Sequence, residues 1–186
     1  METIGPISTP VGRRIGNAIV HHKNGDFESA LLQLFPAVNR TATRRFPKKG
    51  DGYKIKTFIS QEEAVITFLA TGSIWIGSSF DGMTLPELIY KYGRNAMVHD
   101  GEMDHRLKFH RSHTSIFGFT SVLSDSFIFG LLMSVILAEE NRLEISPDNH
   151  ALQLLGRSYY INTLWGARSF FVELVRDKYG DSSLFL

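Results

Sequence analysis

The sequence predicts a mostly α-helical fold: one domain, residues 1–186, built as a helical bundle with one small β-hairpin. Three observations predict it. Most of the chain carries apolar residues at intervals of three and four. Helix start and stop signals recur between those stretches, with Asp26, Thr84 and Asp125 at starts and glycine or Asn-Gly at stops. Only one short segment, around Leu107, alternates apolar and polar residues with the period of a strand.

In chain order, the spacing predicts a first helix over 11–22, closed by the turn signal "KNGD". Asp26 then caps a second helix, in which Phe27, Leu31, Leu34, Phe35 and Val38 share a face. Pro36 falls inside that pattern and predicts a kink or a division. "FPKKGDG", 46–52, breaks the chain. Ile55, Phe58, Ile59, Ala64, Val65, Phe68 and Leu69 restart the periodicity up to the stop at Thr71-Gly72. Ser60 with Glu63 fits either the cap of a new helix or the middle of this one.

Thr84, Pro86 and Glu87 form the cleanest start, a capping box, for a helix to about 99 that stops at Asp100-Gly101. Leu107 and Phe109 alternate with Arg106, Lys108 and His110, and 116–119 is expected to pair back as the hairpin. Asp125 is placed to cap a nearly all-apolar, central helix to about 141. Ser146 and Pro147 predict a further helix start, and a last helix is expected over 162–179, ended by Gly180.

Composition narrows the chemistry. The 186 residues are 43% hydrophobic and 21% charged, which suits a globular core and argues against disorder. A net charge of +1 supplies no global field toward nucleic acid or membrane. The absence of cysteine excludes disulfides, thiolate zinc sites and a cysteine nucleophile, and fits a cytoplasmic setting. "METIGPISTP" has no basic segment followed by an apolar run, so no secretory leader is expected. The apolar run over 127–138 is shorter than the roughly 20 residues a membrane span needs, so no membrane association is expected.

The candidate site lies in "GRNAMVHDG", which puts Arg94, Asn95 and His99 on the last turns of the capped helix. At about 100° per residue the three polar groups fit one arc of roughly 140°, with Asn95 and His99 almost in line. They can converge on one ligand. Equally, Leu85, Leu88 and Tyr92 project close to the direction of His99, which would make it a core-edge histidine beside a solvated arginine. A third reading packs this helix face against a second copy of the chain. The bare spacing recurs at Arg14–His21 and Arg106–His113, but Ile follows Arg14 and Arg106 lies in the strand region. The echo between "NAIVH" at 17–21 and "NAMVH" at 95–99 has unmatched flanks and does not mark a repeat.

With an arginine, a polar residue directly after it, and a histidine four to six residues beyond, this segment resembles the HEPN superfamily. "ALLQLFPAVNRTATRRF" followed by "YKIKTFIS" also resembles the upstream part of bacterial HEPN-like proteins. The resemblance covers about 26–141 and weakens in the last helices. It implies a metal-independent endoribonuclease acting as a homodimer, with the role of a toxin or defence effector and a separate antitoxin chain as partner. The residue types suit that chemistry. An imidazole can take a proton from the ribose 2′-OH or protonate the leaving 5′-oxygen. A guanidinium grips phosphate oxygens as charge builds. The second histidine that such a reaction wants would come from the partner copy. Expected products are a 2′,3′-cyclic phosphate and a 5′-OH. The alternative is a non-catalytic module of the same shape that binds RNA, a nucleotide or a protein.

Arg40, Arg44, Arg45, Lys48 and Lys49 are the expected RNA-binding residues, with Lys54 and Lys56 beyond them and only Asp51 in opposition. His99, Asp104, His105, His110 and His113 are dense enough to suggest a metal, but their spacing matches no ligand signature, and no metal or other cofactor is expected. No nucleophile elbow, phosphate loop or dinucleotide-binding turn occurs.

Overall fold

Helix α1 (Pro10–Asn24) starts where Thr9 accepts a hydrogen bond from the Val11 amide and ends at Gly25, whose φ of 79° turns the chain back. The Asp26 carboxylate then takes the Ser29 amide at 3.1 Å and opens α2 (Phe27–Arg45). The stop at Gly25 and the cap at Asp26 are predicted signals at the predicted places; the Thr9 cap is not among them. The computed structural model describes residues 8–80, 82–111, 115–117 and 120–185. Pro36 does not divide α2. Its missing N–H costs one hydrogen bond, and burial of Leu31, Leu34 and Phe35 before it, and of Ala37, Val38 and Ala42 after it, holds the two halves in one helix.

Helix α3 (Asp51–Thr71) runs without a break, so Ser60 and Glu63 lie within it rather than capping a new one. It packs against α6 (Ser126–Leu137), the central helix, whose apolar side chains are buried almost all round. Each large one contributes about 1.5–3 kcal/mol on leaving water. The two helices approach closely because Gly130 has no side chain: a Cβ there would stand 2.6 Å from the Ile66 carbonyl oxygen. α6 ends at Leu137, short of the expected 141. The chain continues through a 3-10 turn in which Asn141 is buried and donates to Thr41 Oγ1 and the Val135 carbonyl. No helix among the described residues is long and apolar enough to cross a membrane.

The molecule is mostly α-helical, as expected, but its β-structure exceeds one hairpin. β1 (Ser79–Phe80) and β2 (Met83–Thr84) pair antiparallel ahead of the motif helix. β3 (Leu107–His110) pairs in parallel with β5 (Thr120–Ser124), which pairs antiparallel with β4 (Ser115–Phe117), giving the order β3-β5-β4. The expected return strand therefore joins β5 rather than β3. Residues 118 and 119 of that expectation lie outside the described residues. β6 (Ala151–Leu154) and β7 (Arg157–Tyr160) form a hairpin where a helix after Ser146 was expected. The strand signal is present: Leu152 and Leu154 are buried while Ala151 and Gln153 are exposed, a period of two. Positive φ at both Leu155 and Gly156 matches the tight hairpin turn. The last helix, α7 (Arg168–Tyr179), starts six residues later than expected, because the 3-10 turn of Ile161–Thr163 and the buried Trp165 precede it.

Buried carboxylates join the helices. Glu62, only 2% exposed, accepts from Arg45 Nη1 at 2.8 Å and pairs with Arg168 at the start of α7. Arg45 also reaches Glu140 at 2.7 Å and lies over the Phe58 ring. Burial works against the Arg45 charge, but its hydrogen bonds to Glu140 and Glu62 outweigh burial and raise its pKa. Glu144 accepts from Thr9 Oγ1, the Gly12 amide and Arg44 Nη2, tying the start of α1 to the end of α2.

Two variants test this framework by urea denaturation. Glu62→Ala leaves the half-buried Arg45 and Arg168 each short of a partner and is expected to cost about 1–3 kcal/mol. Gly130→Ala forces α3 and α6 apart and is expected to cost about 1–3 kcal/mol.

Candidate active site

The motif helix starts as its capping box requires, with the Thr84 amide and hydroxyl both donating to Glu87 Oε2 at 3.0 and 2.8 Å. Those hydrogen bonds hold the Glu87 carboxyl below its ordinary pKa, against a small opposing effect of burial and with help from the Lys56 charge. After α4 (Leu85–Leu88) the helix widens into a π segment, Ile89–Asn95, before α5 (Ala96–His99). The wide turn meets α2 at Gly93, where a Cβ would stand 2.8 Å from Phe35 Cζ. The Tyr92 carbonyl accepts the Asp104 amide at 3.1 Å, which pins the following loop to this turn. π segments are rare and concentrate at functional sites.

Arg94 and Asn95 close the π segment. Arg94 Nη1 donates to Asn95 Oδ1 at 3.0 Å, so the amide orients the guanidinium rather than the imidazole. The guanidinium carbon lies 5.8 Å from the centre of the Tyr90 ring. Its Nη2 stands 3.9 Å from Asp51 Oδ2 at the start of α3. His99, the last residue of α5, is exposed and has no hydrogen-bond or ion-pair partner among the described residues. It is not a core-edge histidine. Gly101, with φ of 83°, ends the segment where the sequence signal put it.

Beyond it, Asp104 is clamped by Arg106, whose Nε donates at 2.8 Å and whose guanidinium lies 4.3 Å from the centre of the Tyr92 ring. These hydrogen bonds hold the Asp104 carboxyl down to about 2, against the opposing effect of burial. Asp104 also lines a cavity of about 340 Å³ with Ala96, Asp100, Glu102, Met103 and His105. The Asp/His group read from the sequence does not converge on one point: Asp104 serves Arg106 and stands 3.4 Å from Nδ1 of the 84% exposed His105, while His110 Nδ1 bonds the Arg111 carbonyl. Its fifth member, His113, lies outside the described residues. Among the described residues no three His, Asp or Glu side chains are grouped to hold a metal ion. In the rival Arg14–His21 pattern, Arg14 reaches Gln33 and His21 pairs with Asp26.

The expected RNA-binding residues separate into two sets. Arg44 and Arg45 are half-buried and committed to Glu144, Asn141, Glu62 and Glu140. Arg40, Lys48 and Lys49 face solvent, and Lys49 Nζ lies 5.3 Å from the centre of the Tyr53 ring. The loop bearing Lys48 and Lys49 leads directly into Asp51, so it meets Arg94 at one end of α3. Sequence reasoning missed Tyr90, one helical turn before Arg94. It also gave no role to Gly52, where a Cβ would stand 2.9 Å from the Tyr90 hydroxyl.

A family model, Rv1289, matches residues 10–184. The chain belongs to the Rv1289 family. The uncharacterized proteins Rv1289 of Mycobacterium tuberculosis and Mb1320 of Mycobacterium bovis are each 21% identical to it over 183 residues, covering 89% of this chain and 87% of theirs. No solved structure matches the chain.

The Asp104 clamp has a pH signature. Its lowered pKa means that its stabilising effect is complete above the ordinary carboxyl value of 3.8 and is lost as pH falls toward about 2. The difference in urea midpoint between wild type and Asp104→Asn is therefore expected to shrink between those two pH values.

Proposed function

We propose that the chain is a HEPN-like, metal-independent endoribonuclease that works as a homodimer. The observation that carries this reading is the exposed His99 on the same continuous helical segment as the oriented Arg94. The two lie five residues apart, a rise of about 7.5 Å at helical spacing. A solvent-facing imidazole is available to move the 2′-OH or 5′-oxygen proton, and Arg94, held by Asn95, presents paired donors to the phosphate. One protomer offers one such histidine, and a twofold partner supplies the other. The HEPN resemblance supports the role of a toxin or defence effector in the cytoplasm, neutralised by a separate antitoxin chain.

A second reading, a non-catalytic module binding RNA, a nucleotide or a protein, is favoured by one observation. Arg44 and Arg45 are spent on internal carboxylates, which thins the basic surface. Cleavage of a labelled RNA in the presence of EDTA separates the two. His99→Ala is expected to lower the rate about 100- to 10,000-fold with the fold intact. Arg94→Ala is expected to lower it about 100- to 1,000-fold. RNA binding with no 2′,3′-cyclic phosphate product from wild type would select the second reading.

A further inference from the structure

We propose that the first turns of α3, with the π segment packed across them, form a groove for the RNA phosphodiester backbone, in which Asp51 is an internal competitor for the Arg94 guanidinium. The substrate class rests on the nuclease reading above; the groove residues do not.

Three cations meet there around one ring and one carboxylate. Lys56 Nζ and the Arg94 guanidinium carbon each lie 5.8 Å from the centre of the Tyr90 ring. Lys54 is buried, yet among the described residues its ammonium has two hydrogen-bond partners, Thr43 Oγ1 at 3.4 Å and Asp51 Oδ1 at 3.5 Å. Both are at the long limit of a hydrogen bond, so a buried charge is left under-satisfied. The Tyr90 hydroxyl, held against Gly52, has no hydrogen-bond partner among the described residues.

Asp51 is the carboxylate that faces these groups from α3. Its side chain is 52% exposed and touches both Arg94 and Lys54 only at long range. Such a contact is weak and easily exchanged. A phosphodiester offers the same oxygen pair with a full charge and can take both Arg94 donors at once. From the motif helix, Glu87 faces Lys56 but is occupied in capping Thr84. Tyr53, half-exposed on the same first turns, offers a ring for a base beside the backbone path. The groove thus takes over the part that Arg44 and Arg45, locked in the framework, cannot play.

The test is fluorescence anisotropy of a short fluorescein-labelled single-stranded RNA across a salt series. It uses the full chain carrying His99→Ala, so that the RNA stays intact. Adding Lys56→Gln is expected to weaken binding several-fold and to lower the slope of log affinity against log salt by about 0.7, one phosphate contact on a single strand. Adding Asp51→Asn is expected to tighten binding several-fold. Arg142→Gln, a control on the 3-10 turn, keeps the parent affinity, and thermal melts confirm that each variant is folded. No measurable RNA binding overturns the proposal, as does Asp51→Asn with the parent affinity or Lys56→Gln with the parent slope. No cleavage of the RNA by the chain with His99 intact, while these affinity changes hold, removes the nuclease reading and leaves the groove standing.

Discussion

The carboxylate of Glu62 is the interaction on which most of this structure depends. It sits in the middle of α3, away from water, and is held from two sides by Arg45 of α2 and Arg168 of α7. Glu144 plays the same part beside it at the end of α2, where it gathers Thr9, the Gly12 amide and Arg44. Apolar burial would let neighbouring helices slide or rotate at small cost. Charged groups withdrawn from water do not permit that, because each displaced partner leaves a charge unsolvated. The helices are therefore indexed against one another by ion pairs, while α6 supplies the non-directional part of the cohesion.

That division of labour decides which cations are left for function. Three arginines that a sequence reader would send to a surface, Arg44, Arg45 and Arg168, face carboxylates of the framework instead. The charges still available cluster where the loop after α2 enters α3 and where the π segment crosses it. The motif helix brings Arg94 to that point and carries His99 on into solvent, so a rigid, ion-paired body presents a small polar edge.

Much of the helical frame was legible because its signals are local. Asp26 and the Thr84–Glu87 box each cap a helix through contacts within a few residues, and Gly25, Gly72, Gly101 and Gly180 stop the chain with positive φ. What was not legible depends on distant partners. Pro36 looks like a breaker until the burial on both sides of it is known. The β6–β7 hairpin hid behind Ser146-Pro147, a good helix start, because Leu155-Gly156 is not one of the usual turn pairs. At the candidate site, the Arg94, Asn95 and His99 placement followed from spacing and the helix stop. Asp51 and Gly52 are some forty residues away, and nothing local links them to Arg94. The clustered basic residues 40–49 look alike in sequence, and only the positions of Glu62, Glu140 and Glu144 sort them into framework and surface.

The π segment has one more consequence. An i→i+5 turn encloses one residue more than an α turn, so it acts as a phase adjuster between the capped start of the helix and its end. Were 89–95 to tighten to α geometry with no residue removed, everything after it would swing by about 100° around the axis. Thr84, Leu85 and Leu88 would keep their places while His99 turned to a different side. The angle between the anchored half of this helix and its terminal imidazole is thus set by the wide turn between them.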